Sequence, residues 1–153
     1  MKKVVKFGGS SLASAEQFKK VGDIVRSDKS RKYVVPSAPG KRFGADTKVT
    51  DMLYQTYALA EAGKDFSSEL QAIKERYNEI IKGLKLNMTL DAEFETIAEM
   101  FRSKAGSDYA ASRGEYLNGK IMANYLGFEF IDAAEVIFFD EEGNFDAEKT
   151  NNI

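Results

Sequence analysis

Lys3-Val4-Val5-Lys6-Phe7-Gly8-Gly9-Ser10-Ser11 is the stretch on which the reading of the fold turns. Lys3 to Phe7 is short, rich in β-branched residues and stopped by two glycines, which is the pattern of a buried strand. Ser10, Ser11 and Ser14 follow as candidate helix caps. From Ala15 to about Asp28 the spacing of Phe18, Val21, Gly22 and Val25 lines one face of a helix. Arg31-Lys32 then leads into Tyr33-Val34-Val35, a second short strand. Pro36-Ser37-Ala38-Pro39-Gly40 ends that strand, because two prolines and a glycine rule out continued pairing.

Further along, Lys41 to Lys48 is polar and basic and reads as a loop. Thr50 or Asp51 is placed to cap a helix that runs to about Ala62 and closes at Gly63. Leu70, Ile73, Tyr77, Ile80, Ile81 and Leu84 form a helical stripe, and Phe94, Ile97, Ala98 and Phe101 form another. A long helical stretch covers Ser107 to Leu126 and ends at Gly127. Phe128 to Ile131 and Val136 to Phe139 are expected as strands, with a turn at Glu142-Gly143-Asn144. Strand, turn, helix and strand with a helical excursion indicate an α/β fold with a mainly parallel sheet. Such a sheet needs cover on both faces. The strands are few and two come late, so the fold is expected to be incomplete within residues 1–153.

The 153 residues suffice for one domain with a core. Lys plus Arg number 22 against 24 Asp plus Glu, a net charge of −2, which gives no general attraction to nucleic acid or an anionic membrane. Any polyanion site must therefore be local. No cysteine and no histidine is present, which removes thiolate chemistry, disulfides and Ser–His or Cys–His catalysis, and argues against a protein-held metal site. The start is too brief for a signal peptide and no stretch reaches transmembrane length, so a cytoplasmic protein is expected.

Three segments can carry chemistry. In Lys6-Phe7-Gly8-Gly9-Ser10-Ser11, glycine lets the backbone approach a ligand, free N–H groups point at an anion, and Lys6 adds a charge. The segment has neither a Walker A ending nor a GxGxxG pattern, and a tight turn with a surface lysine explains it equally well. Ser37-Ala38-Pro39-Gly40 sits at a strand end, where open α/β sheets gather ligand groups, yet the same residues favour plain turns. In Ser112-Arg113-Gly114-Glu115, a glycine inside a helix costs about 1 kcal/mol against alanine and marks close packing or a ligand. Glu115 beside it could meet an ammonium group, or it could be one more solvated carboxylate.

Taken in order, the three segments resemble the aspartate kinases of the amino-acid kinase family. Lys6-Phe7-Gly8-Gly9-Ser10-Ser11 resembles the KFGG(S/T)S signature. Ser37 to Arg42 with Thr47-Lys48-Val49-Thr50-Asp51 resembles the second segment of a subgroup, and Ser112-Arg113-Gly114-Glu115 resembles the third, S-x-G-E. Pro36 departs from the pattern, which has an apolar strand residue there. The resemblance covers essentially the whole chain and implies a three-layer α/β/α sandwich of the carbamate kinase-like type. Residues 1–153 would be its amino-terminal, substrate-binding part, without the nucleotide-binding half or the regulatory domains.

The resemblance also implies an activity: transfer of the ATP γ-phosphoryl group to the β-carboxylate of L-aspartate, on the route to lysine, threonine and methionine. Lys6 would be catalytic, and Lys6, Gly8, Gly9 and Ser10 would hold ATP phosphates. Ser37 and Thr50 would seat aspartate and Glu115 its α-ammonium. Arg113 carries less weight, because consecutive helical residues do not share a face. ATP would come with Mg²⁺ as co-substrate, with no metal held by the protein itself. The full-length protein is implied to be a homo-oligomer, with no nucleic-acid or membrane partner. The chain alone is expected to be inactive. Other kinases of the same fold, and a non-catalytic amino-acid-binding or assembly module, are the alternatives. An acetylated substrate would leave Glu115 without an ammonium to meet.

Overall fold

The structure, a computed structural model, describes residues 1–152. Strand β1 (Lys3–Phe7) and strand β2 (Arg31–Pro36) lie parallel, joined by helix α1 (Ala15–Arg26). Ser14 caps α1, its hydroxyl accepting from the Gln17 N–H, and a single 3-10 turn at Gly9–Leu12 links β1 to that cap. Four more helices follow: α2 (Val49–Glu61), α3 (Ser67–Gly83), α4 (Asp91–Arg102) and α5 (Ser107–Leu126). A short helix α6 (Ala147–Asn151) comes last. Gly63 and Gly127 close α2 and α5 with φ of +72°, where a side chain would be strained.

The core lies among the helices and the inner face of the strand pair. Phe18, Leu53, Ile73, Tyr77, Ile97, Phe101, Leu117 and Ile121 are fully or almost fully buried, and Val5, Phe7 and Val34 pack onto them from the strands. Phe18, Ile73, Tyr77, Ile97 and Phe101 are among the residues whose helical spacing marks the stripes. Tyr57 and Tyr109 meet Phe101 edge-on, at centroid distances of 5.3 and 6.4 Å, geometry that adds to plain area burial. No helix among the described residues is long and apolar enough to cross a membrane.

Two expectations are corrected. Phe128–Ile131 and Val136–Phe139 are not strands; the second forms one antiparallel bridge, Phe139 to Phe145, across the Gly143 turn. A strand needs a neighbour for its N–H and C=O groups, and β1 and β2 are the only strands among the described residues. The Phe128 N–H instead closes the end of α5 on the Ala123 carbonyl. Neither Thr50 nor Asp51 caps α2: Lys48 is the N-cap residue, and both lie in the first helical turn. Pro36 stays in the sheet opposite Phe7. The Ser37 N–H donates to the Phe7 carbonyl, so strand alternation turns the position of the missing Pro36 N–H away from β1 and no ladder bond is lost.

The outer face of the strand pair carries Val4, Lys6, Tyr33 and Val35, all exposed, Val4 at 68%. A parallel sheet ordinarily has both faces covered, and a contiguous apolar face favours association. The purified chain is expected to bind a dye that reports apolar surface and to elute larger than a monomer. Replacing Tyr33 and Val35 together by lysine should reduce both signals while changing stability by no more than about 0.5 kcal/mol per site, as usual at surface positions. Unchanged dye binding and elution would rule this face out as the cause.

Candidate active site

The carboxyl ends of β1 and β2 meet through backbone alone. The Gly40 N–H donates to the Gly9 carbonyl at 2.8 Å. A Cβ on Gly40 would lie 2.6 Å from the Gly9 carbonyl carbon, and one on Gly9 would lie 2.9 Å from the Ala38 carbonyl oxygen. Glycine is required at both positions by this approach rather than by backbone angle. Gly8 differs: a Cβ there would meet no atom within 4 Å. Its bareness leaves open space beside the turn, and the Ser10 and Gly9 backbone stands at the edge of that space. The first and second sequence segments thus form one structure.

The third segment docks against them. A Cβ on Gly114 would sit 2.7 Å from the Ala38 Cβ, so α5 lies against the β2 end with nothing between. Asn118, one turn on, donates from Nδ2 to the Ser37 carbonyl at 2.8 Å, and Gly119 lies beside Pro36. Residues 36 to 38 therefore run along α5 in the reverse direction, from Gly119 to Gly114. Glu115, adjacent to Gly114, is exposed next to this track. Tyr77 of α3 reaches α5 from below, donating to the Gly114 carbonyl at 2.8 Å. Burial, with Glu115 adding, pushes the Tyr77 phenol well above its usual range and keeps it a neutral donor.

The loop from Gly40 to Lys48 is pinned at its neck. The Val49 N–H donates to the Pro39 carbonyl, and this sets Thr50 in the first turn of α2. Arg76 of α3, only 4% exposed, donates from Nη2 to the Gly40 carbonyl and from Nη1 to the Thr47 carbonyl, both at 2.8 Å. Arg42 holds Asp46 through Nε and Nη2 and reaches Glu79 at 3.2 Å. Asp46 lies 3.7 Å from Arg76. The hydrogen bonds from Arg42, with those of nearby backbone and the charge of Arg76, hold the Asp46 carboxyl well below the usual carboxylate range.

The candidate residues named from the sequence are therefore placed as follows. Gly8, Gly9 and Ser10 form the turn, Ser37 extends β2, Thr50 opens α2 and Glu115 lies on α5. Lys6 is on the outer strand face opposite Val35, and strand alternation puts Ser37 on the same side. The side chains of Lys6, Ser10, Ser37, Thr50 and Glu115 make no hydrogen bond or ion pair among the described residues. Arg113 is engaged elsewhere, stacked on the Tyr109 and Tyr116 rings and bonded to the Ser112 hydroxyl. Sequence reasoning missed Arg76 and Asn118. Both had a signal: each is a polar residue set within an apolar helical stripe, Arg76 three after Ile73 and Asn118 three before Ile121.

Among the described residues no group of three or more Asp or Glu side chains could hold a metal ion. Two surface hollows, of about 360 Å³ at Lys64, Phe66 and Arg102 and about 200 Å³ at Glu93, Tyr109 and Tyr116, do not border the glycine turn.

Residues 1–152 match the sequence model of the amino acid kinase family. Aspartokinase 3 of Bacillus subtilis is 39% identical over 140 residues, covering 88% of this chain and 31% of that protein. The structure of an aspartate kinase from Clostridium acetobutylicum superposes with a TM-score of 0.94 at 52% identity, over 99% of this chain and 35% of the other. Aspartokinase III of E. coli, solved with aspartate and ADP, shares the fold, with a TM-score of 0.75 at 21% identity, over 99% of this chain and 36% of the other. The chain spans about a third of the length of these relatives.

The pinned loop makes a test possible. Arg76→Ala, which strips charged donors from two backbone carbonyls, should lower stability by about 3 kcal/mol, since hydrogen bonds to charged groups each contribute about 1.5–3 kcal/mol. Arg76→Lys should recover only part, because an ammonium lacks the planar fork. Asp46 has a depressed folded value, so its contribution is present above the unfolded carboxylate value near 4 and is lost as the pH falls below it. Denaturant titrations should show the gap between wild type and Asp46→Asn closing below about pH 4. A gap independent of pH would contradict the role given to this carboxylate.

Proposed function

Because this chain belongs to the amino acid kinase family, and fits the amino-terminal part of its aspartate kinase members, we propose that it supplies the phosphate turn and the aspartate seat of an aspartate kinase. The observation that carries the reading is the glycine-to-glycine contact of Gly9 and Gly40, which unites a phosphate-type turn with the strand end bearing Ser37. Glu115 is placed beside that strand end by the Gly114–Ala38 contact.

The reaction this arrangement suits is phosphoryl transfer to a carboxylate. A β-carboxylate oxygen of aspartate forms a bond to the γ-phosphorus of ATP, the bond from that phosphorus to the bridging oxygen breaks, and ADP leaves with the electron pair. The nucleophile is already ionised at neutral pH, so the lack of histidine is no obstacle. What remains for the protein is positioning and charge neutralisation. Lys6 offsets charge on the transferring group. The N–H groups at Gly8 to Ser10 and the Ser10 hydroxyl hold phosphate oxygens. Ser37 and Thr50 seat the aspartate, and Glu115 pairs with its ammonium. Mg²⁺ would arrive with the nucleotide.

The protein is proposed to work in the cytoplasm and, at the length of its relatives, as a homo-oligomer. The chain alone is read as a substrate-binding part without turnover, because a nucleoside must be held in line with the acceptor and a displacement of about 1 Å can cost ~10²-fold.

Kinetics in a full-length kinase carrying this segment test the roles. Lys6→Ala should lower kcat about 10²–10³-fold, the usual loss of a preorganised charge contact, with a much smaller effect on the aspartate KM. Glu115→Gln should weaken aspartate binding by about 2–5 kcal/mol and discriminate less against analogues lacking the amine, with ATP binding nearly intact. Near-normal kcat in the first variant, or loss of ATP rather than aspartate in the second, would overturn the assignment. The 153-residue chain alone should show no aspartate-dependent ATP turnover; ordinary turnover would contradict its reading as a substrate-binding part.

A further inference from the structure

Asn118 is completely buried on the α5 face that packs against the end of β2. Its Nδ2 holds the Ser37 carbonyl, 81 residues away. Its Oδ1 is buried too and has no hydrogen-bond partner among the described residues. A neutral hydrogen bond adds only a little net stability, and a buried acceptor without a partner costs at least as much. Leucine, of similar size, would remove the orphaned Oδ1 but would leave the Ser37 carbonyl without its donor, so the exchange brings no clear gain in stability either way. What Asn118 does supply is direction. Among the described residues Ser37 has no other side-chain brace, its N–H being fixed to the Phe7 carbonyl and its carbonyl to Asn118. With both ends of the residue tied, the direction of the Cα–Cβ bond that carries its hydroxyl is set. Glu115 is three residues before Asn118, on the neighbouring part of the same helix face, so one rigid element carries both the ammonium partner and the brace of Ser37.

We infer that Asn118 is a positioning residue for the aspartate seat, acting through the Ser37 backbone rather than by touching the substrate. This rests on the reading of Ser37 as an aspartate contact. The test separates stability from binding in the whole chain. Asn118→Leu, which removes one unpaired acceptor and creates another, should change the melting temperature little, shift the Ser37 carbonyl ¹³C resonance, and weaken L-aspartate binding about ten-fold by calorimetry. Ser37→Ala should weaken binding similarly, and the double variant should be no weaker than Ser37→Ala alone, because coupled positions are not additive. Asn118→Asp keeps the shape but points an oxygen at the Ser37 carbonyl, and should weaken aspartate at least as much. It also guards against a leucine that packs badly. A lowered melting temperature with aspartate affinity intact, or losses that add in the double variant, would make Asn118 merely structural and overturn the inference. The wild type is titrated first: if it does not bind aspartate, the seat itself is wrong, and the inference falls with it. Failure of Asn118→Leu to weaken a wild type that does bind sinks the inference alone.

Discussion

The contact between Gly9 and Gly40 is the constraint on which the site depends. It joins two strand ends by main chain alone, at a separation no Cβ could share. Backbone contact of this kind has few ways to relax, since there is no rotamer to change and no side chain to move aside. Once it is made, the turn after β1 and the loop after β2 behave as one body. The other contacts of the site can be understood as braces for it: Arg76 on the Gly40 and Thr47 carbonyls, Asn118 on the Ser37 carbonyl, and Tyr77 on the Gly114 carbonyl.

The braces come from α3 and α5, the two longest helices, and from the same buried faces that build the core. This divides the work. Apolar stripes fix where the helices lie, and a few polar residues within those stripes hold carbonyls that loops would otherwise leave unsatisfied. Charge is divided likewise. Arg42 and Asp46 of the pinned loop pair with each other and with Arg76 and Glu79 of α3, whereas among the described residues the side chains of Lys6, Ser37, Thr50 and Glu115 stay unengaged. Groups spent on the scaffold cannot also meet a ligand, so this separation leaves the second set available.

Much of this could be read from the sequence. The bounds of β1 and α5 emerge as expected, and Gly63, Gly127 and Gly143 each occupy the positive-φ position that their turn requires. Those features are local: periodicity and glycine conformation decide them. The misreadings concern what is not local. Phe128–Ile131 and Val136–Phe139 have strand composition, but a strand exists only with a partner, and composition does not say whether one is at hand. Thr50 has the right chemistry for a cap, yet the loop neck at Pro39 and Val49 starts the helix earlier. Gly9, Gly40 and Gly114 could be suspected of close approach, but the sequence does not say that Gly9 meets Gly40 and Gly114 meets Ala38. Arg76 and Asn118 were visible as polar interruptions of apolar stripes, although their carbonyl partners lie 36 and 81 residues away.

The central claim is that the two strand ends and α5 form a single seat for an amino acid with a free ammonium group. An amide-resolved NMR titration of the isotopically labelled chain with L-aspartate tests it most directly. The account predicts saturable shifts concentrated at Ser37, Ala38, Thr50 and Glu115, with smaller ones at Gly9 and Gly40, and no comparable response to N-acetyl-aspartate, which has no ammonium for Glu115. Equal responses to the two ligands, or shifts centred on the hollow between Lys64 and Arg102, would contradict it.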